Sequence, residues 1–288
     1  MQAKKLRQLI SQPGLIVAPG AYDAWSARLI EKAGFPVVYM TGYGVSASAI
    51  GQPDIGLLTM TEMVNVARNM VNAINIPLIA DGDTGYGGIL NVIRTVREYE
   101  QAGIAAIQLE DQVYPKRCGH MEGKQLVPVE EMITKLRAAV HARKSPDFII
   151  IARTDARAVT GLQDAIARAN AYAEVGADVI FLEAPESVEE MKVIAASIDR
   201  PLLANMVESG KTPFLDSNAL LEIGYKIIIY PVSSLYTVTK AVARTLQKLK
   251  NEGTTRNCMD DMVEFKEFNE MIGVQEQRDL EKTFSSMP

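Results

Sequence analysis

The feature that most constrains the fold is a repeated alternation of short apolar runs with helical segments. The apolar runs are 15–18, 37–40, 78–80, 105–109, 148–152, 179–182, 202–204 and 226–230. Several are nearly continuous in Val, Ile and Leu, which is typical of strands buried on both faces of a parallel sheet. The segments between them have helical spacing of apolar residues and are 60–73, 90–102, 130–142, 164–175 and 187–197.

Three helical segments end in a similar phrase that contains a glycine, at 31–34, 100–103 and 174–177. A glycine just past a helix end permits the left-handed cap and a short turn into the next strand. About eight strand–helix units with such short connections predict a closed (β/α)₈ barrel of the TIM type. The alternative is a doubly wound open sheet, which more often shows a glycine-rich dinucleotide-binding turn that this chain lacks.

The chain has 288 residues, a length that an α/β barrel can reach as one domain. We expect residues 1–250 to form the barrel and to carry the chemistry. Residues 251–288 are charged and helical in pattern, with too few strand signals for a second domain. We therefore expect them to form a C-terminal helical extension that packs on the barrel or on a neighbouring subunit.

The charge and the cysteine usage exclude several classes of partner and location. A formal net charge of −5 argues against nucleic acid or a membrane surface, since both require a basic footprint. No apolar stretch approaches 18 residues, and the N-terminus lacks the apolar run of a secretion signal. The two cysteines, Cys118 and Cys258, are too few and too far apart for a disulfide framework. These features indicate a soluble, cytoplasmic protein.

Charged and polar residues follow the apolar runs where the predicted strands end. They are Asp81, Asp83, Glu110, Asp111, Arg153, Thr154, Asp155, Glu183 and Asn205. The active site of a (β/α)₈ barrel is built at this end of the strands. Asp81 and Asp83 are two residues apart, so their carboxylates face the same way, and hard oxygen donors suit Mg²⁺ or Mn²⁺. For any single acid, the alternative is a helix cap or a pair with a lysine.

A long connection, about 111–127, follows the fourth predicted strand and contains Lys116-Arg117-Cys118-Gly119-His120. Connections of this length are often lids over an active site. Neighbouring positive charge shifts a thiol toward thiolate, which suits proton transfer or nucleophilic attack. The alternatives are metal binding by Cys118 and His120, without further soft ligands at zinc spacing, or a solvated basic loop. We expect His141 to lie on an ordinary helix surface.

A glycine-rich loop, Thr41-Gly42-Tyr43-Gly44, follows the second predicted strand. Its backbone N–H groups can hold a carboxylate or a phosphate. A plain flexible turn would look the same in the sequence, and Asp54 a little later can equally be a turn residue.

Taken together, these motifs resemble the isocitrate lyase / phosphoenolpyruvate mutase superfamily. The matching segments are 41–44, Asp54, 81–87, Glu110 with Asp111, 116–120, 153–157, 183–185, Asn205 and 211–213. The resemblance extends from about residue 13 to residue 250, and the motif at 116–120 is its most specific part. Within the superfamily, the chain is most similar to the short lyases that act on 2,3-dimethylmalate and on methylisocitrate.

The resemblance implies a barrel whose eighth helix is exchanged between subunits in a homotetramer, a dimer of dimers. It also implies a Mg²⁺ cofactor, for which Mn²⁺ can substitute. Asp83 would bind the metal directly, whereas Asp54, Asp81 and Glu110 would act mainly through bound waters.

The resemblance further assigns roles at the substrate. Thr41, Gly42 and Tyr43 would hold the pyruvate-end carboxylate, and Arg153 would contact the same end. The remaining residues that would contact the substrate are Gly119, His120, Glu183, Asn205 and Thr212. Cys118 would be the general acid, with Lys116 and His120 tuning its thiol, and Tyr43 and Arg153 would also take part in catalysis.

The implied reaction is a Mg²⁺-dependent carbon–carbon cleavage of a small 2-hydroxy dicarboxylic acid to pyruvate and a short carboxylate. Cys118 favours a lyase, because family members that rearrange phosphoenolpyruvate tend to have asparagine there. Residues 232–236 lack an arginine expected in methylisocitrate lyases, which disfavours a third substrate carboxylate. We therefore expect 2,3-dimethylmalate or a similar alkylmalate, giving a product such as propionate.

Three alternatives remain for the activity. The first is 2-methylisocitrate cleavage to pyruvate and succinate, and the second is oxaloacetate decarboxylation or phosphonopyruvate-type chemistry at the same metal site. The third is a barrel that binds a metabolite or a partner without turnover.

Overall fold

The computed structural model describes residues 2–119 and 121–285. Parallel strands form a closed barrel in chain order, and the last strand pairs with the first. The strands are β1 (Ile16–Ala21), β2 (Val38–Met40), β3 (Leu78–Asp81), β4 (Ala106–Glu110), β5 (Ile149–Thr154), β6 (Val179–Leu182), β7 (Leu202–Asn205) and β8 (Ile227–Tyr230). The predicted (β/α)₈ barrel is confirmed, because an open doubly wound sheet would leave β1 and β8 unpaired with each other.

Helices alternate with the strands. They are α1 (Gln2–Ser11), α2 (Ala24–Lys32), α3 (Gly42–Val45), α4 (Met60–Ala73), α5 (Ile89–Gln101), α6 (Val129–Ala142), α7 (Leu162–Glu174), α8 (Val188–Ser197), α9 (Ser217–Ile223), α10 (Ser233–Glu252), α11 (Phe265–Ile272) and α12 (Val274–Ser285). A π-helical segment, Ser46–Ile50, follows α3, and short 3₁₀ segments lie at Ala156–Ala158 and Arg256–Asp261. The glycines predicted to end three helices, Gly34, Gly103 and Gly176, all have positive φ.

Side chains from alternate strand positions divide the core into two clusters. One fills the inside of the barrel and includes Tyr39, Ile79, Ile151 and Phe181, while the larger one packs between strands and helices. Leu6 of α1 belongs to the inner cluster and is fully buried, so α1 covers the end of the barrel where the strands begin. The opposite end, where the strands finish, is left for chemistry.

The described residues form two compact units, one up to Leu235 and one from Tyr236 onward. The first unit contains the barrel strands and helices α1 to α9. The second contains most of α10 with α11 and α12, and in it Arg244 pairs with Asp261 at 2.7 Å. The predicted boundary between residues 250 and 251 stays a prediction.

None of the helices in the described ranges combines the length and the apolar character needed to cross a membrane.

Candidate active site

The structure gathers the predicted strand-end residues at one mouth of the barrel. Buried side chains there include Asp81 and Asp83 from β3 and its turn, Glu110 from β4, Arg153 from β5, Glu183 after β6 and Asn205 from β7. Most of them are charged, and each is less than one tenth exposed. Burying this many charges without partners would be costly, so their pairing decides what the site can do.

The turn after β3 fixes Asp83 in an uncommon backbone conformation, with φ of 46°. Its N–H donates to Oδ1 of Asp81 at 3.0 Å, and its carbonyl accepts from the N–H of Glu110 at 2.9 Å. Such left-handed non-glycine residues persist where the surrounding bonds enforce them, often at functional sites. The turn therefore holds Asp81, Asp83 and Glu110 next to one another.

Lys116 reaches into this acidic cluster from the long loop after β4. Its ammonium nitrogen lies 2.6 Å from Oδ1 of Asp54 and 2.8 Å from Oδ1 of Asp83, and the side chain is 3% exposed. The sequence motif suggested that Lys116 would act beside the Cys118 thiol. In the structure, its ammonium contacts two of the proposed metal-binding carboxylates, and its predicted effect on the thiol stays a prediction.

Burial dominates the electrostatics of the acidic cluster. It raises the pKa of Asp81, raises that of Asp83 to about 6 and raises that of Glu110 well above its usual range, although Lys116 acts against each shift. For Lys116, burial alone would lower the pKa, but the neighbouring carboxylates, led by Asp83 and Asp54, raise it well above its ordinary value. Burial of Asp81, Asp83 and Glu110 therefore outweighs the positive charge of Lys116 and Arg153 beside them.

The donor set fits a hard divalent cation. Its donors are carboxylate oxygens, which Mg²⁺ and Mn²⁺ prefer, and the buried Oε1 of Glu110 has no hydrogen-bond partner within the described residues. Among the described side chains, no three acids, histidines or cysteines already converge as a metal-binding group. Lys116 contacts Oδ1 of Asp54 and Oδ1 of Asp83, so a metal that used these two oxygens would have to displace the lysine.

Arg153 is held rigidly at the end of β5. Its Nε and Nη2 donate to the two oxygens of Asp155 at 2.9 and 3.0 Å, and its guanidinium carbon lies 5.1 Å from the ring centre of Phe181. Oε2 of Glu110 lies 3.4 Å from Nε of Arg153, and Oε2 of Glu183 lies 3.4 Å from its Nη2. Burial opposes its charge, but Asp155, Glu110 and Glu183 raise the pKa of Arg153 well above its usual value. It is a fixed cation that can stabilise oxygen charge.

The long loop packs over Arg153. A Cβ added at Gly119 would collide with the guanidinium of Arg153 and would lie 2.8 Å from Cδ of Glu183, so only glycine allows this approach. Lys124 donates to the carbonyl of Gly119 and to Oδ1 of Asp155, the latter at 2.8 Å. Cys118, next to Gly119, is partly exposed. The predicted site residue His120 lies outside the described residues.

The glycine-rich loop after β2 becomes a short helix that starts beside the acidic cluster. The hydroxyl of Thr41 caps α3 by accepting from the N–H of Gly44 at 3.2 Å. A Cβ at Gly42 would lie 2.6 Å from Oδ2 of Asp81, so the backbone can approach this carboxylate only because residue 42 is glycine. Tyr43 follows and is partly exposed. This loop therefore lies at the same mouth as the predicted metal acids.

Asn205 and Glu183 are joined across neighbouring strands. Nδ2 of Asn205 lies 3.3 and 3.1 Å from the two oxygens of Glu183. Within the described residues, Oδ1 of Asn205 and the hydroxyl of Thr212 are buried without a hydrogen-bond partner. Buried polar atoms are normally bonded, so these two atoms are candidates for binding a ligand.

Two residues support the site in ways that the sequence did not predict: Asp111 was named at a strand end and in the motif match but given no role, and Lys124 was not named. Asp111 lies behind β5 and accepts from the Thr154 hydroxyl at 2.7 Å, from the Asp155 N–H at 3.0 Å and from the Tyr172 hydroxyl at 2.9 Å. Lys124 joins the loop to Asp155. Asp111 was signalled by its place at a strand end and by the motif match, whereas nothing in the sequence distinguishes Lys124 from a solvated loop lysine.

Comparison with known protein families and relatives gives a consistent result. The family model described as phosphoenolpyruvate phosphomutase matches residues 6–250. The 2,3-dimethylmalate lyase of Eubacterium barkeri is 54% identical over 284 residues, which is 99% of this chain and 98% of the relative. The 2-methylisocitrate lyase of Halalkalibacterium halodurans is 45% identical over 283 residues, 98% of this chain and 93% of the relative.

Solved structures show the same fold. A crystal structure of 2,3-dimethylmalate lyase has a TM-score of 0.94 at 39% identity, covering 98% of this chain and 95% of that chain. Oxaloacetate acetylhydrolase in complex with the inhibitor 3,3-difluorooxalacetate has a TM-score of 0.94 at 38% identity, covering 99% of this chain and 98% of that chain. Phosphonopyruvate hydrolase in complex with oxalate and Mg²⁺ has a TM-score of 0.89 at 31% identity, covering 98% of each chain.

Proposed function

The chain belongs to the phosphoenolpyruvate phosphomutase family, and we propose that it is a Mg²⁺-dependent carbon–carbon lyase cleaving 2,3-dimethylmalate or a similar alkylmalate. The products would be pyruvate and a short carboxylate such as propionate. The family match confirms the resemblance to the isocitrate lyase / phosphoenolpyruvate mutase superfamily that the motifs indicated.

One observation carries the proposal: the segment with Cys118 covers the charged mouth of the barrel. Gly119, the residue after Cys118, packs against Arg153 and Glu183. Lys116, two residues before Cys118, contacts Asp83. A proton donor on this segment would therefore lie close to both Arg153 and the acidic cluster. A lyase that must protonate a carbanion away from bulk water requires this arrangement.

The metal would be held by the acidic cluster. Asp83 would bind it directly, and Asp54, Asp81 and Glu110 would act mainly through bound waters. The partnerless Oε1 of Glu110 and the all-carboxylate donor set support this assignment. When bound, Mg²⁺ would act as a Lewis acid for the oxygens at the pyruvate end, and Mn²⁺ can substitute.

The chain's own residues would divide the reaction between two ends of the substrate. Thr41, Gly42 and Tyr43 would hold the pyruvate-end carboxylate, where Arg153 stabilises oxygen charge. The 2-hydroxyl would give its proton to a carboxylate of the acidic cluster and become the carbonyl oxygen of pyruvate as the C2–C3 bond breaks. The bonding electrons stay on C3, next to the second carboxylate, and the Cys118 thiol donates a proton there.

Other polar residues would orient the substrate and the thiol. Glu183, Asn205 and Thr212 would line the pocket with Gly119, and the partnerless atoms of Asn205 and Thr212 support this role. The family motif also assigns His120 to substrate binding and to tuning the thiol with Lys116.

The preference for an alkylmalate rests on residues 232–236, where no arginine is available for a third carboxylate. The 54% identity to a 2,3-dimethylmalate lyase supports the same choice over methylisocitrate.

We further propose a cytoplasmic homotetramer, a dimer of dimers in which the eighth barrel helix is exchanged. Helix α10 has exposed apolar side chains at Val238, Val242, Leu246 and Leu249, spaced as one helical face. Burying such a face against another subunit would be favourable. Light scattering coupled to gel filtration tests the assembly.

The decisive experiment is a substrate panel. The purified protein is incubated with Mg²⁺ and either 2,3-dimethylmalate or methylisocitrate, while a coupled dehydrogenase detects pyruvate. We expect the higher kcat/KM with 2,3-dimethylmalate. Absence of pyruvate from both substrates would overturn the proposal.

A second candidate is oxaloacetate chemistry, which the likeness to oxaloacetate acetylhydrolase favours. Oxaloacetate is therefore included in the panel, with assays for pyruvate, acetate and oxalate. Turnover of oxaloacetate alone would select this second function.

A further inference from the structure

A buried lysine links the loop over the site to the strand that carries Arg153. Lys124 is only 8% exposed, and its ammonium lies 2.8 Å from Oδ1 of the fully buried Asp155. The same ammonium donates to the carbonyl of Gly119, the residue after Cys118. The lysine thus bonds the Cys118 segment to the end of β5.

Asp155 is shared between this lysine and Arg153. Its Oδ1 accepts from both Lys124 and Arg153 Nη2, and its Oδ2 accepts from Arg153 Nε at 2.9 Å. Burial would favour protonation, but Arg153 and Lys124 outweigh it and lower the pKa of Asp155 to about 2. The carboxylate is therefore charged at neutral pH and binds two cations at once.

These bonds form a continuous path from the loop to the guanidinium. Gly119 packs on Arg153 and Glu183 only while the loop is in this position, and Lys124 holds the loop there through the same carboxylate that aims Arg153. Moving the loop away would separate Lys124 from Asp155. Separating this buried ion pair leaves the ammonium of Lys124 without its carboxylate and takes one of two cations away from Asp155, which opposes opening.

We propose that Lys124 and Asp155 are positioning residues that couple closure of the 111–127 loop, and hence the placement of Cys118, to the orientation of Arg153. This inference rests on the proposed function for its catalytic consequence, but its structural part can be measured without any substrate.

Removal of Lys124 should affect the two ends of the substrate differently. Without Lys124, Asp155 still holds Arg153, so the pyruvate end still binds while Cys118 is no longer held in place. Loss of Lys124 should therefore lower kcat much more than it raises KM.

The test compares Lys124→Met and Lys124→Arg with Lys135→Met. Lys135 is a matched control, because it is also buried and pairs with a carboxylate, Glu131, at 3.1 Å, but lies on helix α6. We expect Lys124→Met to lower kcat by roughly tenfold to a hundredfold, as for a lost charge-assisted bond. Lys124→Arg should recover part of this loss, and Lys135→Met should leave kcat near the wild-type value.

Limited trypsin digestion separates this proposal from the lyase assignment. Cleavage after the exposed Arg117, followed by mass spectrometry, reports loop opening in the absence of substrate. We expect cleavage roughly ten times faster in Lys124→Met than in wild type or Lys135→Met, with unchanged circular dichroism. Equal cleavage rates in the three proteins would overturn the proposal, even if the lyase activity is confirmed. Faster cleavage in a protein without lyase activity would support the coupling and refute only the proposed reaction.

Discussion

The ammonium nitrogen of Lys116 lies 2.8 Å from Oδ1 of Asp83, the carboxylate proposed to bind the metal directly. The same nitrogen is 2.6 Å from Asp54. A positive charge from the loop therefore lies where the carboxylates require a cation. A metal bound by these carboxylates would compete with the lysine for them, and loading the metal would then be linked to movement of the loop.

Replacing Lys116 by Met should destabilise the metal-free protein by about 3 kcal/mol, because buried carboxylates lose their cation. Added Mg²⁺ should return more stability to this variant than to wild type, since no ammonium has to be displaced. Thermal denaturation in EDTA and in Mg²⁺ measures both effects. Lys135→Met serves as the control, and equal gains from Mg²⁺ in Lys116→Met and wild type would contradict the competition.

Removing the metal should abolish pyruvate release. EDTA-treated protein should regain activity with Mg²⁺ or Mn²⁺ but little with Ca²⁺, whose larger radius and flexible coordination suit the site poorly. Asp83→Asn should weaken Mg²⁺ binding by roughly a hundredfold. Calorimetric titration checks the affinity independently of turnover, and an unchanged affinity in Asp83→Asn would remove this residue from the metal site.

Cys118→Ser should lower alkylmalate cleavage by about 10²- to 10⁴-fold, because the hydroxyl is a much poorer proton donor than the thiol. Any oxaloacetate decarboxylation by the same protein should largely survive, since it does not depend on this donor. Steady-state assays of alkylmalate cleavage and of oxaloacetate decarboxylation, each in wild type and in Cys118→Ser, measure the two effects. Cleavage at the wild-type rate would exclude Cys118 as the general acid.

The stability contributed by Asp155 should depend on pH in a defined window. Its folded pKa of about 2 lies below the ordinary value of 3.8, so its charge stabilises the folded protein fully above pH 3.8. This contribution, about 2 kcal/mol, is lost as the pH falls from 3.8 to 2.

Asp155→Asn should therefore be less stable than wild type at neutral pH, and the difference should shrink in acid. Urea unfolding at about pH 6 and about pH 3 gives the two free energies. A difference that stays constant between these pH values would show that the charge of Asp155 is not responsible.

The fold could be predicted because local patterns determine it. Continuous apolar runs such as 148–152 became β5, and the helical segment 164–175 became α7 at Leu162–Glu174. The strand-end acids could also be located, since a closed parallel barrel brings all carboxyl ends to one mouth whatever the loops do.

Loop contacts could not be predicted in the same way. The direction of the Lys116 side chain depends on how residues 111–127 fold back over the barrel. The same is true of the two hydrogen bonds that Lys124 donates, one to the carbonyl of Gly119 and one to Asp155. No periodicity governs such a segment, and its conformation follows from tertiary packing. The motif therefore drew attention to Cys118 and Lys116 but could not predict the contact of Lys116 with Asp54 and Asp83.

The hydroxyl of Tyr172, on helix α7 of the outer ring, donates a hydrogen bond to the carboxylate of Asp111. The same carboxylate accepts a hydrogen bond from the backbone N–H of Asp155. Support for Arg153 thus begins in the outer ring of helices, on the far side of the strand wall from the proposed substrate site. A laboratory-evolution library confined to pocket-lining codons would never sample this support, whereas variation on the outer helices can retune turnover without altering a single substrate contact.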